Sequence, residues 1–198
     1  AGLWAEFGRR LADEGAFDES ARLSFLVTSA AMKIMQGKLD EGVALATSGL
    51  SDELKLPDEG ASIVLLATRA TARERKLDFD GAVEDLREAI LRSKRTYGET
   101  HTTTAELYAN LGSALRQRGD LSEARAVLES ALDIYRTRFG SEHADTGLAR
   151  LNLSAVYAQE ANFKAAAERL HDLPQLFDRP LGPAPPRTSV HLRNTCRR

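Results

Sequence analysis

The sequence predicts an all-α fold, a solenoid of antiparallel helix pairs, on three observations. Segments recur at a period of 42 residues, so that Phe79, Leu121 and Phe163, then Ala82, Ala124 and Ala166, then Leu86, Leu128 and Leu170 fall in register. Apolar side chains keep helical spacing, as in Leu107, Leu111, Ala114 and Leu115, and in Leu121, Ala124, Val127, Leu128, Ala131, Leu132 and Tyr135; no alternating strand pattern of useful length occurs. Five of the six prolines lie at Pro174 or beyond, which leaves 1–173 permissive for long helices. The connectors repeat in the same register: Tyr97, Gly98 and His101 return as Phe139, Gly140 and His143.

Taken in order, a repeat domain is expected over 1–173 and a Pro/Arg-rich tail over 174–198. Trp4, Phe7 and Leu11 predict an extra helix over 1–14, placed to cap the array. A degenerate first repeat covers about 20–57; its Gly37, Leu39 and Glu41 match Gly119, Leu121 and Glu123, but it stands 40 residues before the next copy. The second repeat, 62–98, opens on the run 62–67 and continues with the good helix formers Ala70, Ala72, Arg73, Glu74 and Arg75. Its adjacent Glu84 and Asp85 read as a solvated helix face. In the third, 103–140, Gly119 and Asp120 break two helices, Ala124 and Ala131 allow close helix approach, and Leu128 fills the hole between them. Gly98 and Gly140 sit where left-handed C-terminal caps belong. The fourth, 145–173, has a short second helix ending near Asp172, which leaves Phe163, Leu170 and Leu173 to be covered by the tail, a continuation of the chain or a partner.

Composition narrows the function classes. A net charge of −2 gives no overall basic field for nucleic acid; the tail carries +4 and the remainder −6, so only the tail is basic, and nucleic acid is not expected as a partner. Without aromatic residues between its arginines, the tail reads as a solvated terminus. No apolar run is long enough to span a membrane. The single Cys196 excludes an intrachain disulfide and any Cys-based metal cage, which suits a reducing intracellular, cytoplasmic setting, with a mitochondrial or other organelle matrix as the alternative. The chain begins at Ala1, as a mature form or an excised piece would. No Ser-His-Asp or Cys-His set, phosphate loop or zinc motif is legible, so neither an enzyme, a small-molecule substrate, a cofactor nor a metal is expected. His101 and His143 recur with acids nearby, but the repeat itself explains the recurrence, and local capping at helix entries is their expected role.

These residues resemble the tetratricopeptide repeat, in the longer 42-residue variety of kinesin light chains and many bacterial proteins. Tyr108, Leu111, Gly112 and Leu115, followed by Gly119, Ala124, Leu128 and Ala131, fall at the family's signature spacing in the third repeat. The fourth keeps Leu153, Tyr157, Ala166 and Leu170; the second keeps Leu66, Ala70, Phe79, Ala82, Leu86 and Ala89 but has Arg69 and Arg73 at positions normally apolar; the first keeps little beyond Leu26, Ala30 and Gly37. The resemblance implies a right-handed superhelix that binds a peptide or helix of a partner protein on its concave face, as adaptor or scaffold.

Groove candidates come from the first helix of each pair: Val64, Ala67, Thr71, Glu74 and Arg75; then Glu106, Ala109, Asn110, Ser113, Arg116 and Gln117; then Leu148, Leu151, Asn152, Ala155 and Gln159. Asn110 and Asn152, one period apart, are the most informative, because an amide offers donor and acceptor together and can bracket a ligand's peptide group. Arg75 and Arg116 suit a partner carboxylate or phosphate. The alternative functions are a structural subunit or assembly factor of a large complex, in an organelle for instance, which docks by its outer helices and tail, and the sensing domain of a bacterial regulator.

Overall fold

A computed structural model describes residues 19–51 and 59–171. The expected helix over 1–14 and the tail 174–198 lie outside the described residues. The described chain forms eight helices and no strand: α1 (Glu19–Met35), α2 (Leu39–Gly49), α3 (Glu59–Arg75), α4 (Phe79–Thr96), α5 (Thr102–Arg118), α6 (Leu121–Phe139), α7 (Ala144–Gln159) and α8 (Phe163–Leu170). Consecutive helices pack against each other from α1 to α8, so the described residues form an all-α array of four helix pairs. The first helices also meet at two of the three junctions, α1 with α3 and α5 with α7; α3 with α5, and the second helices with one another, share no comparable contact among the described residues. First helices therefore form the inner side of the curve.

The turn inside each pair places one residue at positive φ: Gly37, Leu77, Gly119 and Ala161. At Gly119, with φ 100° and ψ 2°, a side chain would crowd the following carbonyl; Leu77 and Ala161 accept that strain at φ 63° and 59°. Entry to the second helices is capped by short polar side chains: Asp78 accepts from the Gly81 N–H at 3.0 Å and Asn162 from the Ala165 N–H at 3.2 Å. Asp120, at the same position, is taken by the Arg118 guanidinium and caps nothing. Between repeats, His101 and His143 do the capping, each through Nδ1 accepting a backbone N–H two residues on at 3.2 Å, from Thr103 and Asp145. Each ring stacks on the preceding aromatic, Tyr97 or Phe139. Thr104 and Thr146 then donate to the carbonyls of Gly98 and Gly140. One expectation needs correcting here: Gly140 has φ 86° but ψ 171°, an extended positive-φ conformation reserved for glycine, not the left-handed helical one. The aromatic, Gly and His recurrence is thus a joint between repeats.

The core runs continuously from α3 to α8, around Ile63, Leu66, Leu86, Leu111, Leu115, Leu128 and Leu153. Leu128 packs into the place where residue 112 has no side chain; a Cβ there would stand 2.4 Å from its Cγ. A smaller cluster of Leu23, Leu26, Ala30, Ala46 and Leu65 holds the first pair to the second. The repeat that keeps little of the signature is therefore a packed helix pair all the same.

A second expectation fails at α4. Glu84 is exposed, but Asp85 is 3% exposed. Arg69 grips its carboxylate through Nε at 2.9 Å and Nη2 at 2.6 Å, and Arg73 adds Nη1 at 3.0 Å while also donating to the Gly81 carbonyl. The two arginines at normally apolar positions and the hidden aspartate are one ionic cluster, each compensating the others' burial.

Candidate functional site

The inner surface carries a cavity of about 380 Å³ where the third and fourth repeats meet. α5 supplies Thr102, Glu106, Ala109 and Asn110, all on one side of the helix at spacings of three and four. α7 supplies Asp145, Leu148, Ala149 and Asn152 in the same pattern. The floor comes from α6, whose Tyr135 and Phe139 reach between the two first helices. Glu106, Ala109, Asn110, Leu148 and Asn152, five of the groove candidates, are brought together here.

Neither asparagine amide makes a hydrogen bond to another described residue, and Asn110 is exposed while Asn152 is half-buried. Both amides face the cavity with their donors and acceptors unused. Glu106 is reachable by solvent, yet crowding by protein and the Asp145 carboxylate both hold its carboxyl above the ordinary pKa. Tyr135 is pushed far above the usual phenol range, first by its burial and then by Glu106 and Asp145. The site is therefore negative and partly desolvated.

Of the candidates outside this cavity, several already have partners within the chain. Thr71 donates to the Ala67 carbonyl within its own helix, and Gln117 donates to Ser113 at 3.4 Å. Arg75, an exposed residue, donates one guanidinium N–H to the Ile34 carbonyl of α1, which ties two repeats together. Arg116 is half-buried opposite Glu74, whose carboxyl is raised by burial and drawn back down by that arginine; one Glu74 oxygen is buried with no partner among the described residues. Ala155 and Gln159 are exposed along α7. Tyr135, Phe139, Thr102 and Asp145 were missed by sequence reasoning. Tyr135 is core by periodicity, and only the helix crossing shows that the same ring also reaches the groove.

The tetratricopeptide repeat family model matches residues 61–137. This segment belongs to the tetratricopeptide repeat family. Such repeats are scaffolds for protein–protein interaction. A curated relative, the clustered mitochondria protein homolog of Emericella nidulans, is 34% identical over 80 residues, which is 40% of this chain and 6% of the relative's length. Among solved structures, BtubC (BKLC) from P. vanneervenii superposes with a TM-score of 0.70 at 20% identity, covering 86% of this chain and 69% of its own. A Podospora anserina protein described as a kinesin light chain with nearly identical TPR-like repeats gives 0.71 at 19% identity, covering 87% and 92%. The fold is thus that of a tetratricopeptide array, and kinesin-light-chain-like repeats are among the structures it superposes on. No helix among the described residues is long and apolar enough to cross a membrane.

Proposed function

We infer that the chain is a binding module whose concave face, at the junction of the third and fourth repeats, holds an extended peptide or a helix of a partner protein. The observation that carries this reading is the asparagine pair, one period apart, with both amides on one cavity and neither bonded to another described residue. Amides so placed recognise a backbone peptide group, which every partner segment offers; Leu148 and Phe139 add apolar contact, and Gln117, Ser113, Arg116, Ala155 and Gln159 extend the surface along the groove. Binding rather than catalysis suits a segment of the tetratricopeptide family.

Replacing Asn110 and Asn152 with alanine together tests it. Partner capture, read by pull-down and mass spectrometry against wild type, should fall while the melting temperature holds; unchanged capture would place the site elsewhere.

A second reading, a constituent of a larger assembly, is favoured by Phe163, which is 70% exposed at the end of the array although its counterparts Phe79 and Leu121 are half-buried. The name of the relative of which this chain spans 6% keeps an organelle setting beside the cytoplasmic one. In that case removing 174–198 releases the protein from its complex, while the asparagine double variant stays bound.

A further inference from the structure

The cavity between α5, α6 and α7 has walls of one charge sign. Glu106 and Asp145 put two carboxylates on it, and among the described residues its lining contains no lysine, arginine or histidine. His143 lies close, with Nδ1 3.5 Å from an Asp145 carboxylate oxygen, but that nitrogen already accepts the Asp145 backbone N–H and so turns a lone pair toward the acid. Tyr135 is more than nine-tenths buried, lines the cavity, and its hydroxyl has no hydrogen-bond partner among the described residues.

This charge is not a property of the repeat. One period earlier, at the junction of the second and third repeats, Glu106 corresponds to Val64 and Asp145 to Thr103, so the two acids are peculiar to this junction. Burial first, and the Asp145 charge second, hold the Glu106 carboxyl above its ordinary pKa. A cation between them relieves both. A free phenol beside the pair offers an acceptor to the same cation, and the apolar surfaces of Phe139 and Leu148 are suited to an aliphatic stem.

We propose that the cavity receives a lysine or arginine side chain of the bound partner segment, its charged head between Glu106 and Asp145 and its methylene stem along Phe139 and Leu148. The inference rests on the groove reading above and specifies it: the partner carries a basic residue at a fixed position along the segment that Asn110 and Asn152 bracket.

The test is selection of a random peptide library displayed on phage against the wild-type protein, followed by binding titrations of an enriched peptide. Enriched sequences should share a lysine or arginine at one fixed position. Glu106→Gln with Asp145→Asn should weaken that peptide about tenfold or more, as expected for losing charged hydrogen bonds. Changing the basic residue to glutamine should cause a similar loss in wild type and little further loss in the neutralised variant. Melting of the neutralised variant checks its fold; Glu106→Gln alone, away from the helix entry that Asp145 occupies, carries the comparison if the double variant melts early. Enriched peptides with no fixed basic position, or equal affinity for the neutralised variant, overturn the proposal; the groove reading survives if Asn110→Ala with Asn152→Ala still weakens them. A library that yields no binder at all overturns both.

Discussion

Where the third repeat buries Leu111 and Leu115 and half-buries Val127, the second carries Arg69, Arg73 and Asp85, one period earlier at each position. The fourth repeat has Leu153, Tyr157 and Arg169, with the Arg169 guanidinium 5.5 Å from the Tyr157 ring centre. One helix-pair geometry is thus filled by an apolar contact, a buried ionic cluster and a cation held over an aromatic ring. The difference teaches that the pattern demands a filled and electrically balanced space, and that greasy side chains are one way of filling it. It also explains why the second repeat departs from its family: both arginines make sense only with the aspartate.

Three changes break or sharpen that comparison. The largest effect is expected from Asp85→Ala, which leaves two guanidinium groups facing each other without their counter-ion. Stability should fall by about 3 kcal/mol, the low end for breaking a buried pair, because both arginines can turn toward water. Chemical denaturation would read it; a loss under about 1 kcal/mol would show the cluster to be a surface ion pair in effect. Transplanting the third repeat's solution, with Arg69→Leu, Arg73→Leu and Asp85→Val together, should leave stability unchanged or raise it by about 1–2 kcal/mol, since apolar replacements of buried ionic sets are commonly neutral or better. A triple variant as unstable as Asp85→Ala would mean that the two repeats are not interchangeable frames. The smallest effect is at the turn. Leu77, 73% exposed and at positive φ, stands where the third repeat has Gly119, so Leu77→Gly removes strain without removing packing. A gain of about 0.5–1 kcal/mol should follow, the relief being offset in part by the freer unfolded chain. Thermal melts of the pair would register it as a rise of roughly 2–4 °C per kcal/mol.

Much of the architecture was legible because a solenoid repeats its reasons. The 42-residue recurrence of small and large residues located the second helices, and the glycines with their histidines located the joints. The histidines' capping role was also legible, since a recurrence the fold explains needs no chemistry. Asp85 was not. Its neighbours in sequence are charged, and its burial follows only from where Arg69 and Arg73 project from α3, sixteen and twelve positions back. In the groove, Asn110 and Asn152 announced themselves by spacing, whereas Tyr135 and Phe139 belong to the second helix and were counted as core or connector. Arg75 was read as a ligand for a partner because its position is right, and its bond to the Ile34 carbonyl depends on how α1 lies against α3.

The sequence by itself determined that this chain is helical and that its helices come in pairs, because a period of 42 and a helical repeat near 3.6 fix those relations locally. Only the tertiary structure decided which charges are hidden and which share a cavity. Glu106 and Asp145 share a cavity across two helices, and Asp85 is neutralised by two arginines of the preceding helix. Such encounters depend on how side chains far apart in sequence are brought together, since Coulomb energy follows their separation and the local dielectric, and desolvation follows their burial.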